Sequence, residues 1–442
     1  MLRHVVLAAA MLPACASAWA QEPLTLRRAI EEALDGNPAA RAARAGEDEA
    51  AAGVRQARSA FLPRLDVVES WQGGNQPVFV FGSLLAQQRF SEANFAIAAL
   101  NRPDPLSNHR AAVVVEQTLF DGARSHAALS ASRLGAELAG QESRRTALDL
   151  YMTTVRAYGR AVAAAATLAA SRAAVESATE DLRRARERRD AGVETESAVL
   201  ALQVEAAEAD VRRIAADAEA ANARAALNVA IGAPLDDPRP LAPLADLPPT
   251  VADRKALETS ALADRPELQQ SRLRERMAEA QVRAARAAFL PQMSAQAAIE
   301  ANGHDIADRA GTWTAALQVR WNLFAGGGDA ARVAAARAAG ARAAAERERA
   351  EQAIRLELRQ ALADHGSALA RRTAARAMVD QAVESRRIIR ERYDAGLAPA
   401  SDLARANELV LRAEATHIAA LVDVHITAAA IDRAAGRIEK TR

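Results

Sequence analysis

The chain has 442 residues, with 57 basic against 56 acidic side chains and only 3% aromatic residues. This near-neutral balance, without a basic tail or patch, argues against a nucleic-acid partner. Cys15 is the only cysteine, so the chain beyond it can form neither an internal disulfide nor a thiolate site. The abundance of Ala, Arg, Glu and Leu predicts long helices packed through seams of small side chains.

Residues 1–20 have the features of a secretory signal peptide. A charged start is followed by an apolar run at 5–12 that is too short to span a bilayer, and Ala-Trp-Ala at 18–20 fits a small-x-small cleavage site. Cleavage there removes Cys15. The alternative is a lipoprotein signal ending at Cys15, which Pro13 fits poorly, so the fate of this cysteine stays open.

Two blocks of sequence recur in the same order, which indicates one unit written twice. Phe-Leu-Pro at 61–63 returns at 289–291, and Asp-Ala-Gly at 190–192 returns at 394–396. Each copy is predicted to run helix, strand, strand, long helix, tight turn and returning helix. The first copy carries additional residues between its two strands.

The repeats predict the domain boundaries. The first repeat covers 21–231, a Pro-rich connector in the equatorial region covers 232–260, and the second repeat covers 261–442. Thr25 is the expected N-cap of the first helix, because a side-chain oxygen there can accept from a free backbone N–H. Pro63 ends that first helix.

Four strands are predicted from alternating apolar and polar side chains, at about 64–71, 112–120, 292–300 and 314–324. One face of each strand is apolar and the other is wet, although Glu69 interrupts the apolar face of the first strand. Trp71 and Trp321 lie on the apolar faces, a position typical of aromatic side chains at a membrane interface.

Four strands per chain are too few to close a barrel. No stretch after the signal approaches the roughly 18 apolar residues of a membrane-spanning helix, so a membrane crossing would use strands. Open sheet edges in lipid would leave backbone groups unpaired, so several chains must share one barrel. The competing interpretation is a small soluble sheet covered by helices.

Long helices with coiled-coil spacing follow the strands. Residues 121–189 contain no proline, so one helix of about 65 residues could extend roughly 100 Å. Apolar residues spaced alternately by three and four continue through 200–214 and 406–424, as in coiled coils. Glycine-containing tip turns at 191–193 and 395–397 are predicted to reverse the chain.

The segments LTLRRAIEEALDGNP (24–38) and ERYDAGLAPASDLARANELV (391–410), with the paired blocks above, resemble the TolC family of outer-membrane efflux proteins. The resemblance covers nearly the whole chain after the signal. It implies a mainly α fold with a small β part, in which antiparallel coiled-coil helices form a tunnel (an α-barrel). Four strands per subunit would contribute to a twelve-strand transmembrane β-barrel.

The same resemblance implies a homotrimer in the cell outer membrane, with its tunnel in the periplasm. Such a channel gives passive exit to substrates delivered by an inner-membrane pump and a periplasmic adaptor, in efflux of small molecules or metal ions or in type I protein secretion. It implies no enzymatic activity and no cofactor. The sequence identifies neither the cargo nor the pump type.

The resemblance also suggests site residues at the tip turns. Adaptor docking is expected at Gly192, Val193, Gly396 and Leu397. Asp402 holds the position of an acidic residue that narrows the entrance in some family members. Symmetry would arrange its copies as a ring that attracts cations.

The family's second acidic gate position is Arg405 in this chain, which departs from the pattern. Glu194 and Glu196 lie near the other tip turn and could supply charge instead. For Asp402 the alternative is an ordinary solvated residue near a helix N-terminus.

The remaining motifs do not indicate a phosphate-binding, metal-binding or catalytic site. The glycine-rich run 323–329 lacks the Lys-Ser/Thr end of a phosphate loop. His417 and His425 are eight residues apart, where packed or lumen-lining histidines are favoured over a metal site. No motif nominates a nucleophile or a general base. The expectation is therefore no metal site, and the alternative function is a soluble periplasmic coiled-coil scaffold.

Overall fold

The computed structural model describes residues 22–247 and 253–438. The predicted signal peptide and part of the connector lie outside these described residues. In the first repeat the elements are α1 (Leu26–Gly36), α2 (Pro38–Ser59), β1 (Arg64–Gly74), α3 (Pro77–Ala86), α4 (Ile97–Asn101), β2 (Leu106–Phe120), α5 (Arg124–Asp190) and α6 (Glu196–Ile231). In the second they are α7 (Arg254–Asp264), α8 (Pro266–Arg286), β3 (Gln292–Gly303), β4 (Ala310–Arg320), α9 (Gly328–Asp394) and α10 (Ala400–Ala434).

The first helix of each repeat is broken in two, which corrects the prediction of a single helix. Asn37 precedes Pro38 with ψ 135°, and Arg265 precedes Pro266 with ψ 120°. The proline ring clashes with a helical conformation of the residue before it, so that residue turns extended. The predicted cap at Thr25 is present, because its hydroxyl accepts from the backbone N–H of Arg28.

Each break sits on the C-terminal end of a returning helix. The side-chain amide of Asn37 donates to the carbonyl oxygen of Ala230 at 2.9 Å. In the second repeat the guanidinium of Arg265 donates to the carbonyl oxygen of Arg433 at 3.2 Å. Both contacts satisfy carbonyls that a helix end leaves free, so the two repeats share one joint built from different side chains.

Glycine closes this joint in both repeats. Gly232 and Gly436 each have φ +75°, and an added Cβ would lie 3.0 Å from backbone atoms of Gly36 in one case and 2.9 Å from those of Asp264 in the other. Only glycine combines the left-handed conformation with this close approach. The internal repeat is therefore visible at the atomic level.

Helices α5 and α9 have 67 residues each, which is about 100 Å at 1.5 Å per residue. Helix α6 packs on α5, α10 packs on α9, and α5 contacts α10, so the four long helices lie in the order α6-α5-α10-α9. The buried hydroxyl of Tyr158 on α5 lies within hydrogen-bonding distance of two carbonyl oxygens. These belong to Leu24, just before α1, at 2.8 Å, and to Ala242, in the connector after α6, at 2.6 Å.

The predicted seam of α10 is confirmed, since Val410 and Val424 on it are buried. Of the described helices, α10 alone is long and apolar enough to cross a membrane by length and composition. Several of its apolar residues, among them Leu403, Ala429 and Ile431, instead pack against neighbouring helices in the core clusters.

The predicted seam of α6 faces away from its own chain. Leu200, Val204, Val211 and Ile214 are each more than half exposed, whereas Leu202 and Ala209 point inward. Helix α6 is apolar on two sides, and periodicity alone cannot say which side meets its own hairpin partner. The outer side is left open in the single chain.

The four strands form one antiparallel sheet in the order β1-β2-β3-β4. Strand β4 spans Ala310–Arg320, so the predicted strand 314–324 was placed too far along the chain. Its partner β3 begins at Gln292, opposite Arg320, directly after Pro291. Because proline has no N–H, the ladder stops there although the alternating pattern continues.

Strand β2 is longer than the predicted 112–120, because its first residues from Leu106 pair with the C-terminal end of β1. The connection between them, which holds the additional residues of the first copy, contains helix α3. Pro77 occupies the first helical position and the side chain of Gln76 accepts from the N–H of Phe79, a regular helix start.

Candidate functional sites: the sheet faces and the helical tip

The two faces of the sheet differ in chemistry. Directly opposite residues of an antiparallel sheet share a face. One row across all four strands is Val67, Val113, Ile299 and Trp313. Other members of this apolar face are Leu65, Trp71, Val115, Leu317 and Val319. The opposite face carries Arg64, Asp66, Arg110, Glu116, Gln296, Glu300, Gln318 and Arg320.

The apolar face is open to its surroundings. Trp313 is 76% exposed and Val67 is 77% exposed. Val319, at the C-terminal end of β4, is 63% exposed. A contiguous apolar surface of this kind marks contact with lipid or with another molecule. Its polar exceptions include Glu69, in the middle of β1, and His109 and Gln117, nearer the two ends of β2.

Trp71 and Trp321 lie at opposite ends of this sheet. The indole N–H of Trp71 donates to Ser107 near the outer end, and that of Trp321 donates to the carbonyl oxygen of Phe289 just beyond β4. Their levels differ by roughly 12 residues of strand, about 40 Å, or about 28 Å in height at a tilt of 45°. That height matches an apolar band of about 25 Å. Trp313, which the sequence analysis did not single out, lies between them.

Glu69, the residue that interrupts the apolar pattern, has a partner. Arg309 donates two hydrogen bonds to its carboxylate, at 3.0 and 2.6 Å, from the loop between β3 and β4. The pair crosses Ala111 and Ala301, whose small side chains leave space over the sheet. The carboxylate on the apolar face is therefore neutralised by a residue distant in sequence.

The polar face holds its own hydrogen-bonded pairs. Arg110 on β2 donates to Glu300 on β3 at 2.9 and 2.5 Å. The buried side chains of Asn108 and Asn302 are joined by a hydrogen bond of 3.0 Å. A face of paired charges and amides suits contact with water, as in the lumen of a barrel.

The helices at the other end reverse through two matching turns. Gly192 has φ +75° and Gly396 has φ +74°. In each turn the glycine N–H and the next N–H bond back to the last carbonyls of the long helix, the pattern of a Schellman motif. The apolar residues after the glycines, Val193 and Leu397, are 66% and 70% exposed. The predicted tip turns thus present apolar side chains outward.

The four predicted gate residues are in different surroundings. Asp402 lies half-buried in the first turn of α10, and Arg405 lies exposed one turn later. Among the described residues neither makes an ion pair with another side chain. Glu196 is paired with Arg189 at 3.1 Å. Glu194 is largely shielded, and joins Tyr393 of the other hairpin at 3.5 Å.

Tyr393 links the two tips. The guanidinium of Arg188 lies 5.3 Å from the centre of its ring, and Arg188 also donates to the carbonyl oxygen of Asp394 at 3.3 Å. Burial and the neighbouring charge of Glu194 raise the pKa of Tyr393, so its hydroxyl stays protonated and available to donate. Sequence reasoning did not identify this contact.

The hairpins are also joined by a buried ion pair that sequence reasoning missed. Asp181 is 4% exposed, and Nη2 of Arg390 lies 3.1 and 3.0 Å from its two carboxylate oxygens. Arg390 also donates to Ser177, and Asn407 donates to Asp181 at 3.4 Å. A buried carboxylate needs such partners. The cluster fixes α5, α9 and α10 to one another about three turns above the tip.

Comparison with known proteins identifies the family. The sequence profile of the outer membrane efflux protein family matches residues 29–233 and 257–437, one block in each repeat. The chain belongs to the outer membrane efflux protein family. As a member it is an outer-membrane efflux protein, and the exposed apolar face of its sheet suits contact with lipid.

Solved structures share the fold of this efflux protein. The CmeC outer membrane channel of Campylobacter jejuni is 19% identical, with a TM-score of 0.80 over 94% of this chain and 87% of that chain. The outer membrane protein VceC of Vibrio cholerae is 21% identical, with a TM-score of 0.75 over 94% and 97%. The open state of the MtrE outer membrane channel of Neisseria gonorrhoeae is 19% identical, with a TM-score of 0.74 over 93% and 89%.

A sequence comparison with curated proteins finds no significant match. The structural likeness covers 94% of this chain in the match to CmeC, so the mainly α fold with a small sheet and two repeats is confirmed.

Proposed function

We propose that three copies of this efflux protein form one passive conduit, which receives substrates from an inner-membrane pump through a periplasmic adaptor. The observation that carries the proposal is that the sheet and the helical layer are open at corresponding ends. Strands β1 and β4 are the free edges of the sheet, and α6 and α9 are the outer members of the helical layer. A contact between different surfaces of neighbouring copies closes into a ring.

Both layers offer suitable surfaces for this ring. Edge strands in lipid need a partner, because each unpaired backbone group costs several kcal/mol there. On the helices, the exposed apolar stripe of α6 that includes Val204 and Val211 needs cover from a neighbour. Three copies of four strands give a barrel of twelve strands. Closing both layers by the same rotation makes a continuous path from tunnel to barrel.

The tip turns are the proposed docking surface for the adaptor. Val193 and Leu397 are exposed apolar side chains on turns that Gly192 and Gly396 hold in a fixed conformation. An apolar side chain on a rigid turn loses little conformational freedom on binding. Two similar turns per subunit would offer six similar docking points around a trimer, which suits a partner that also contacts the channel repeatedly.

The same end carries the proposed gate. Asp402 has no ion pair within the described chain, so a ring of three such carboxylates would attract cations. Glu194 and Glu196 are already paired with groups of their own chain and are weaker candidates for such a ring. The Asp181–Arg390 pair would hold the hairpins together in the closed state.

Energy for transport would come from the pump, so the channel itself needs no catalytic residue or cofactor. The alternative, a soluble periplasmic scaffold, does not account for the exposed apolar face that includes Trp313 and Val67. In water such a face would have to be covered, whereas in a membrane it contacts lipid.

The oligomeric state tests the proposal. The purified full chain in detergent should have the protein mass of three copies when measured by light scattering. Val211→Glu places a charge in the α6 stripe and should shift the protein towards smaller species, whereas Val211→Ile, which keeps a β-branched apolar side chain, should remain trimeric. A wild-type protein that is monomeric and soluble without detergent would refute the conduit and favour the scaffold.

A further inference from the structure

The connection between β1 and β2 is a folded unit of its own, which we name the β1–β2 insert (residues 75–105). The corresponding connection between β3 and β4 covers only 304–309. Inside the insert, Phe90 lies between Phe81 and Phe95, with ring centres 4.8 and 5.1 Å apart and the rings edge to face. These contacts give the insert a small apolar core and a defined shape.

The insert lies over the polar face of the sheet. The buried side-chain amide of Gln87 donates to the carbonyl oxygen of Ser107 and to the side chain of Asn108, both at 2.9 Å. Asn108 donates in turn to Asn302 at 3.0 Å. Asn108 and Asn302 lie on the face that carries Arg110 and Glu300. This chain of amides holds the end of α3 over the lumen side of the sheet.

The surface that the insert presents there is apolar. From Gly73 to Gln88 the sequence contains no charged residue. Val78 and Ile97 are 76% and 77% exposed, and Phe95 and Leu85 are 65% and 50% exposed. Four large apolar side chains exposed on one small unit beside the polar face of the sheet call for a partner that covers them.

The position of the insert identifies that partner as a second copy of this chain. The insert connects β1 to β2, and β1 is the free edge at which the next copy must pair to close the barrel. Closure therefore places inserts of neighbouring copies side by side around one axis, all leaning over the same opening. Their contact continues the contact between the strands.

We propose that the β1–β2 inserts of neighbouring copies pack together through Val78, Leu85, Phe95 and Ile97 and narrow the outer mouth of the barrel. This constriction is separate from the one at the helical tip, at the opposite end of the conduit. It rests on the proposed assembly of several copies into one barrel. An apolar constriction hinders ions and polar solutes until the inserts move apart.

Cross-linking tests the contact between inserts. Cys15, in the predicted signal, is the only natural cysteine, so a single introduced cysteine can be followed against the parent chain. In the assembled protein, Ile97→Cys treated with a short bismaleimide should give covalent dimers. Ile306→Cys, at a position 71% exposed in the short β3–β4 loop, is the matched control and should remain uncoupled. An assembled trimer in which Ile97→Cys gives no covalent dimer, because the insert docks on lipid or stays in solvent, overturns the inference.

Access from outside the cell tests the narrowing. Gln318→Cys places a reporter on the polar face near the tunnel end of the barrel. A bulky maleimide that cannot cross the outer membrane should label it slowly in intact cells. Adding Ile97→Glu or Val78→Glu, which place like charges between the inserts, should raise the labelling rate roughly fivefold or more. Ile306→Glu should leave the rate unchanged.

Two results separate the failure of this inference from the failure of the proposed function. If Ile306→Cys is labelled from outside and Gln318→Cys is labelled equally fast with or without Ile97→Glu, the barrel stands and the constriction is refuted. If Ile306→Cys is not labelled from outside at all, the sheet is not a barrel with that loop at the cell surface. In that case the proposed function and this inference both fail.

Discussion

Nη2 of Arg390 lies 3.1 and 3.0 Å from the two carboxylate oxygens of Asp181 and so joins two helical hairpins. Asp181 belongs to α5 and Arg390 to α9, and Asn407 of α10 adds a third helix to the contact. The side chain of Asp181 is 5% exposed and that of Arg390 is 37% exposed. Any separation of the hairpins near the tip must break this pair.

Asp181→Asn removes the charge and leaves Arg390 without its counter-ion. Loss of one partner of a fully buried pair costs about 3–5 kcal/mol, and the partial exposure of Arg390 reduces that cost. We expect a looser tip, measured as a higher single-channel conductance in planar bilayers. The melting temperature of the helices in detergent should also fall.

Arg387→Ala is the matched control for this change. Arg387 lies one turn from Arg390, and its ion pairs with Glu384 and Glu391, at 2.7 and 2.6 Å, stay within its own exposed helix face. Such exposed pairs contribute little to stability, because solvent screens their charges. Conductance should therefore stay at the wild-type value. An equal increase for both variants would mean that the tie between the hairpins has no special role.

Asp402→Ala tests the proposed selectivity ring at the entrance. Removing three carboxylates from the axis should weaken block by multivalent cations, because their attraction depends on the local negative charge. The measurement is the concentration of a trivalent cation that halves the conductance. It should rise roughly tenfold or more for a ring that contributes about 1.4 kcal/mol.

Arg405→Ala provides the opposite change one helix turn later. Loss of positive charge near the ring should leave cation block as strong as in the wild type or strengthen it. Unchanged block in Asp402→Ala would reject the gating role of this residue, while the channel itself would be unaffected.

Much of the fold could be predicted because its patterns are local. Helix length follows from the absence of proline between about 121 and 189, and strand faces follow from period-two alternation. The turn glycines Gly192 and Gly396 follow from the left-handed conformation that only glycine adopts at little cost. Because the unit is repeated, each of these patterns occurs twice in the sequence, which supports its interpretation.

What could not be predicted depends on which surfaces meet. Asp181 and Arg390 are distant in sequence, and each looks like one of many exposed helix charges until the hairpins are packed. Glu69 likewise finds Arg309 only through the folded loop. The seam of α6 was read on the side that faces away from its own chain, because both of its sides are apolar. Local sequence patterns identify which face of a helix or strand is apolar, but not which other element packs against that face.

Gly436→Ala tests the joint between a returning helix and the break after α7. The added Cβ would lie 2.9 Å from backbone atoms of Asp264 and Arg265, and φ is +75°. A left-handed non-glycine residue costs about 1–2 kcal/mol, and the backbone clash adds to this. We expect a clear drop in the free energy of unfolding, followed by circular dichroism during denaturant titration.

Gly192→Ala separates these two costs. It has the same φ of +75°, but an added Cβ would have no heavy atom within 4 Å. Its cost should be limited to the left-handed conformation. Equal destabilisation by the two variants would show that the close approach at Gly436 does not matter.

Arg309→Ala tests how the charge on the lipid face is tolerated. Glu69 would be left unpaired on the apolar face, so the temperature at which the assembled barrel dissociates should fall. The double variant Glu69→Gln with Arg309→Ala should recover much of this loss, which a double-mutant cycle would report as coupling. Arg64→Ala, on the polar face and paired with Asp66, should change little. No recovery in the double variant would mean that the pair does not stabilise the barrel.

Reconstitution of the purified full chain into a planar bilayer tests most directly whether the open-edged sheets of several copies enclose one water-filled path. Discrete steps of ion conductance are expected from the trimeric fraction and none from separated monomers, because a single sheet of four strands cannot surround a pore. Absence of conductance steps from a trimer inserted in the bilayer, even after Asp181→Asn has loosened the tip, would contradict the channel.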